Sequence, residues 1–275
     1  MPLIPISPFQ RVQVTQVTQG LALQRFRPCA APSSAAKFSG AERLAAPSNS
    51  NLDVGTVMSN ILNAGFTFDL WFRPDALPSA GQFFKLFTIG ASDVQAETSV
   101  TLDLNSAGQL RWITVVPPSF LIDTHPTVLV AGTWYHIWAQ VLNTLTNQVT
   151  LSIRVNDASE TTNAATGNVQ VQPGTSPLLV GALRQGSGGP FGYNLNGRID
   201  SFGIWNRTLT AGERTTLHNA GAGQNFGCLS GGILTGLVSW YDLDEPSLAP
   251  TWVDLVDGNS LSATGTVLSA PGRNL

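Results

Sequence analysis

The sequence predicts an all-β protein, a sandwich or barrel of antiparallel strands with one short helix near the C-terminal end. Three observations predict it. Short apolar alternations recur between turn signals, Gly (27) and Pro (17) are abundant beside many Ser, Thr and Asn, and helical periodicity is nearly absent.

Residues 1–34 read as an N-terminal arm, with a Pro-rich lead and one alternating strip at Val12, Val14 and Val17. From Lys37 strands recur. The stretch 66–73 alternates strictly, placing Phe66, Phe68, Leu70 and Phe72 on one face and Thr67, Asp69, Trp71 and Arg73 on the other. Further strands are expected at 83–89, 99–104, 110–116, 134–142, 149–155, 178–181 and 197–205. Residues 105–108 and 144–147 read as hairpin loops, so nearly all sequence neighbours are expected to pair antiparallel. The helix falls at 209–221, where Thr210 and Glu213 form a capping box and 219–221 supplies the stop. A Gly-rich stretch follows, then Leu237-Val-Ser-Trp-Tyr-Asp-Leu-Asp-Glu245 and a turn-rich tail. The chain therefore divides into an arm (1–34), a core (35–227) and a C-terminal segment (228–275).

Of the 275 residues only 11% are charged, 14 Lys+Arg against 17 Asp+Glu, where about 25% is ordinary. Part of the surface is expected to be covered by something else. The net charge of -3, with scattered cations, lacks the basic footprint of a nucleic-acid binder. No apolar run reaches the length of a membrane-spanning helix. Pro2, Pro5 and Pro8 interrupt the start before a signal-peptide core forms, so no secretory leader is expected. Two cysteines, Cys29 and Cys228, exclude a disulfide scaffold and a four-cysteine zinc site. They are either two unpaired thiols or one bridge tying the arm to the far end of the chain.

Six segments in order resemble the laminin-G-like members of the concanavalin A-like lectin and glucanase superfamily. They are Lys37-Phe-Ser-Gly-Ala-Glu-Arg-Leu44, Phe66-Thr-Phe-Asp-Leu-Trp-Phe-Arg-Pro74, Gly132-Thr-Trp-Tyr-His-Ile137, Ile153-Arg-Val-Asn-Asp157, Leu179-Val-Gly-Ala182 and the stretch from Asn196 through Trp205 to Thr210. The resemblance implies a jelly-roll sandwich of two curved antiparallel sheets, whose concave side and rim loops in the family often bind glycans, proteins or calcium. One departure is that Ser39 stands where the family's opening strand usually has Asp. A calcium site needs six to eight clustered oxygens, and Asp242, Asp244 and Glu245 are the weak candidates. The segment 237–245 resembles the family's opening strand but follows its final helix. Trp240, Tyr241, Leu243 and Trp252 are therefore expected either to complete this sandwich or to enter a neighbouring subunit as assembly contacts.

No catalytic constellation emerges. A retaining glycosidase needs two carboxylates about 5–5.5 Å apart across the scissile bond, yet none of the five Glu lies in a Glu-x-Asp-x-x-Glu arrangement. His125 falls in a Thr-His-Pro loop, His136 on a strand and His218 on the helix, with no ligand spacing. There is no Gly-x-Ser-x-Gly elbow and no Cys near a His. The chain is expected not to be an enzyme and to need no cofactor. Binding rests on aromatic side chains: Trp134, His136, Trp138 and Gln140 share one strand face and, with Trp71 and Arg73, are candidates to line a glycan or partner groove. The alternative is that these rings are core, or lie beneath the helix and C-terminal segment. Asn206-Arg-Thr208 is a glycosylation sequon expected to be unused.

The function expected is a non-catalytic interaction module on a virion or other extracellular surface, such as a phage-type decoration or tail component. Its partners would be subunits of a larger assembly, copies of itself, or surface glycans. A free glycan-binding adhesion module is the alternative, and a glycoside hydrolase ranks below both.

Overall fold

The computed structural model describes residues 34–40, 42–45, 65–90, 98–144, 147–169, 178–184 and 191–272. Their strands are β1 (Ser34–Ser39), β2 (Arg43–Ala45), β3 (Phe66–Pro74), β4 (Phe83–Gly90), β5 (Thr98–Asn105), β6 (Gln109–Val116), β7 (Ser119–Val128), β8 (Tyr135–Thr144) and β9 (Gln148–Val155). There follow β10 (Thr161–Thr166), β11 (Leu179–Val180), β12 (Leu183–Arg184), β13 (Phe191–Gly192) and β14 (Asn196–Trp205), then helix α1 (Ala211–His218). The last strands are β15 (Leu237–Tyr241), β16 (Thr251–Trp252), β17 (Leu261–Thr264) and β18 (Leu268–Pro271).

Sheet I runs β10-β9-β8-β3-β14-β1-β18, with β15 also pairing β14, and sheet II runs β16-β17-β2-β11-β4-β5-β6-β7. The pairings are antiparallel, and the two sheets form the expected jelly-roll sandwich. Phe66, Phe68, Leu70 and Phe72 point from β3 into the space between the sheets, as the alternation requires. There Phe68 meets Phe87 at 4.4 Å and Trp112 at 5.7 Å between ring centroids.

The opposite face of β3 is buried as well, because a second apolar layer covers it. Trp138, Trp205 and Trp240 pack there with Leu209 and Leu217 of the helix region and with Leu229 and Ile233 of the turns that follow. The helix matches its sequence signals. Thr210 Oγ1 accepts from the Glu213 N–H at 3.3 Å, Glu213 Oε2 accepts from the Thr210 N–H at 2.8 Å, and Asn219 ends the helix in the left-handed region at φ 47°.

Two expectations are corrected. His125 lies on β7, not in a loop, because β7 is an edge strand and an edge tolerates Pro126 without losing a ladder bond. Pairing of sequence neighbours holds through β4–β7 and β8–β10 but fails in the middle of sheet I, where β3 lies between β8 and β14. The strip at Val12–Val17 and Cys29 lie outside the described residues.

The C-terminal segment joins both sheets of its own chain. Strand β15 pairs β14 with Gly203 opposite Trp240, β17 pairs β2, and β18 pairs β1. Trp240, Tyr241, Leu243 and Trp252, named above as assembly contacts, are at most 1% exposed within this fold. The Tyr241 hydroxyl donates to Asn259 O at 2.8 Å, and burial pushes the phenol far above its ordinary value.

Candidate functional site

Cross-strand register brings the predicted aromatic patch together on the outer face of sheet I, with Trp71 opposite His136 and Asp69 opposite Trp138. It is not an open groove. Helix α1 and the turns after it cover the patch, leaving Trp71, His136 and Trp138 at 4%, 3% and 1% exposure. Trp134 precedes β8 rather than sharing its face, and it and Gln140 are half-buried. Arg73 is half-buried and donates through Nε to Gly132 O at 2.8 Å.

The interactions under the helix explain why it docks there. His136 Nε2 and Asp69 Oδ2 are 2.8 Å apart, and the rings of Trp71, His136 and His218 stack on one another at 4.9–5.8 Å. The Arg214 guanidinium lies 4.0 Å above the Trp138 ring and pairs with Glu160 at 3.1 Å. Burial first, then the neighbouring His136, pushes the His218 imidazole below its ordinary pKa. A small pocket remains beside the helix, lined by Trp138, Arg154, Asn156, Asp157, Arg214 and Thr215 together with the two histidines.

The acidic candidates serve turn chemistry. Asp242 Oδ1 accepts from the Phe226 N–H at 3.0 Å and from Trp240 Nε1 at 2.7 Å, and Glu245 Oε1 accepts from the Val253 N–H at 2.8 Å. Among the described residues no group of three or more His, Cys, Asp or Glu is placed to share a metal ion. Cys228 is half-buried in the turn Phe226–Cys228.

A different cluster occupies the outer face of sheet II. Leu102, Leu104, Leu110 and Trp112 point into the core, so the residues between them, Asp103 and Arg111, must point out. Register then sets Lys85 of β4 opposite Asp103 of β5, and Asp103 opposite Arg111 of β6. Lys85 Nζ donates to Asp103 Oδ2 at 2.7 Å, while Arg111 donates from Nε to Oδ1 and from Nη2 to Oδ2, each at 2.8 Å. The carboxylate side chain is 0% exposed, the ammonium side chain 9% and the guanidinium side chain 21%.

Aromatic rings frame these charges. Arg111 stacks 4.0 Å from the Phe83 centroid, and the half-buried Phe83 and Tyr193 rings lie 6.3 Å apart. Tyr193 is delivered by a left-handed backbone at φ 54°, and its carbonyl accepts the Lys85 N–H at 2.9 Å. Flat ring area beside fixed donors suits the binding of a polar ligand. Both Asp103 oxygens are committed to cations. Sequence alone does not single out these five residues as a cluster, although Lys85 interrupts the apolar run Phe83-Phe-Lys-Leu-Phe87 and is one of only two lysines.

Solved structures with a similar chain path share little sequence. The heptameric SAP-like pentraxin of Limulus polyphemus is 17% identical over 68% of this chain and 82% of that chain, with a TM-score of 0.46. Domains LG4-5 of the mouse laminin α1 chain are 17% identical over 68% of this chain and 48% of theirs, at 0.43. The CBM40 of the Ruminococcus gnavus IT-sialidase is 12% identical over 68% of this chain and 98% of that one, at 0.49. No curated protein matches the chain. Residues 47–213, more than half of the sequence, match the Laminin G 3 family, and the chain belongs to that family of the concanavalin A-like lectin/glucanases superfamily.

Proposed function

We propose that the chain is a non-catalytic interaction module that holds a saccharide on the outer face of sheet II. The observation that carries this reading is the pair of half-buried rings, Phe83 and Tyr193, set beside the ion-paired donors Lys85 and Arg111. Sugar faces stack on rings that supply rigid area at small entropic cost, and fixed donors orient the hydroxyls. The non-catalytic part rests on the absence of a Glu-x-Asp-x-x-Glu carboxylate set and on Asp103 being held by two cations.

The same reading places the module on the surface of a virion or another particle, supported by a charged content of only 11%. Its partners there are particle subunits or copies of itself, beside surface glycans. Among the described residues no helix is long and apolar enough to cross a membrane.

A glycan array probed with the full chain tests the saccharide site. Tyr193→Ala and Phe83→Ala are each expected to weaken binding about tenfold while unfolding stays cooperative. Undiminished binding by both variants would refute the assignment to this face.

A further inference from the structure

The geometry points to a separate site on the other sheet: the small pocket beside α1 holds a monatomic anion, chloride by abundance, that ties the helix to sheet I. Unanswered donors are the first argument. Trp138 on β8 and Arg214 on α1 both line the pocket, and the Trp138 Nε1 and Arg214 Nε donors are buried with no acceptor among the described residues. Trp138 is 1% exposed, and the guanidinium stacked over its ring keeps the two groups together at the seam between sheet and helix. An unanswered buried donor bears the full cost of its desolvation, so native folds ordinarily supply it with a partner. The acceptors beside these two are taken. Asn156 Oδ1 accepts from the His136 N–H at 2.7 Å, and Asp157 Oδ1 lies 3.4 Å from Arg154 Nη2 and 3.2 Å from His218 Nδ1.

Charge placement is the second argument. Register sets Arg154 of β9 opposite Trp138, so two arginines line the pocket, and each lies deeper than the carboxylate it pairs with. The side chains are 26% exposed for Arg154 against 75% for Asp157, and 14% for Arg214 against 29% for Glu160. Water screens the outer carboxylates more than the inner cations, which leaves the interior of the pocket positive. Asp69, the buried carboxylate of this layer, is turned to His136 Nε2 and does not line the pocket. Size is the third argument. The pocket has room for about one water-sized guest, which excludes sulfate, phosphate and carboxylates and leaves a halide or a water. A water brings two protons of its own to a site that already has donors in excess. A halide accepts from Trp138 and Arg214 together and answers the charge of the guanidinium.

The test is urea unfolding of the full chain as sodium chloride replaces sodium gluconate at constant ionic strength of about 150 mM. An anion that binds only the folded chain raises the folding constant in proportion to its occupancy, so chloride should raise it about threefold or more, where gluconate is too large to enter. Trp138→Phe keeps an aromatic ring and removes the N–H, and should abolish the chloride-specific gain. Arg214→Lys keeps the charge and removes Nε, and should reduce it. Crystals soaked in bromide supply a readout that needs no variant: an anomalous peak is expected within hydrogen-bonding distance of Trp138 Nε1. Equal stability of the wild-type chain in the two salts, or a chloride gain kept in full by Trp138→Phe, would overturn the site. A pocket that holds only a water in the bromide-soaked crystal would overturn it as well, and that result decides the matter should Trp138→Phe fail to fold.

Discussion

Ending the chain at Gly236 should abolish cooperative folding. The cut removes β15–β18 and with them Trp240, Tyr241, Leu243, Trp252, Leu261 and Val267, six side chains at most 1% exposed. Burying a large apolar side chain contributes about 1.5–3 kcal/mol, so the loss is roughly 9–18 kcal/mol. A compact unfolded state already buries part of this area, which lowers the sum by ~10–40%. What remains, about 5–16 kcal/mol, is of the same size as the whole stability of an ordinary domain, about 5–15 kcal/mol. The cut also strips pairing partners from β14, β1 and β2. Urea unfolding followed by Trp fluorescence, beside light scattering, provides the assay. The full chain should unfold in one transition and keep its 29.1 kDa mass across a concentration series, since the segment closes on its own sheets. The shortened chain should show no transition, or aggregate. A truncated protein with an unchanged midpoint and slope would refute the reasoning, and full-length oligomers that vanish on truncation would show that the segment closes between chains instead.

Two further perturbations probe the layer under the helix. Gly203 has Trp205 and Trp240 ring atoms 2.6 Å from where a Cβ would stand, so Gly203→Ala should cost about 1–3 kcal/mol, read as a lower urea midpoint. An unchanged midpoint would show that the two rings give way freely. For His218 the fold favours the neutral ring, whereas the unfolded chain takes up a proton near pH 6.5; stability should therefore fall as pH drops from 6.5 toward the lower folded value. His136, Asp69, Arg154 and Asp157 are the charged or titratable groups acting on that ring. The loss in urea midpoint between pH 7.5 and 5.5 should be smaller in His218→Leu than in the wild type, and equal losses would count against the burial argument.

How much of this was legible in the sequence follows from the range of the forces involved. The turn at 105–108 and the helix at Ala211–His218 are short-range features and stand where their residues place them. Asn105 Oδ1 accepts from the N–H groups of Ala107 and Gln109, each at 2.9 Å, and Gly108 takes φ 77°. The alternation of 66–73 gave the inner face correctly, because period 2 is a property of one strand. What covers the outer face was not a local matter. Trp71, His136 and Trp138 look the same in sequence whether they line a groove or form the floor for a helix more than 70 residues away in the chain. The Lys85–Asp103–Arg111 triplet needed the register of three strands, and no single strand carries it. Pro126 hid β7 because its turn signal is strong and its edge position is invisible in the sequence.

The two outer faces thus divide a small supply of charge in opposite ways. On sheet I, Asp69 and His136 are sealed beneath rings and the helix, and their contacts fix how α1 lies. On sheet II, the Asp103 carboxylate is fully buried and Lys85 nearly so, while Arg111 still reaches solvent. Stability alone does not explain that arrangement. Desolvating two cations and a carboxylate costs several kcal/mol per ion, and well-packed apolar replacements of such pairs are often neutral or stabilising. Apolar substitutes lay close at hand in sheet II, whose outer face buries Ile113 and Val115 on the same strand as Arg111. A chain that is only 11% charged and yet places three charges in register on adjacent strands, beside two half-buried rings, holds a preorganised polar site where packing would have been served by aliphatic residues.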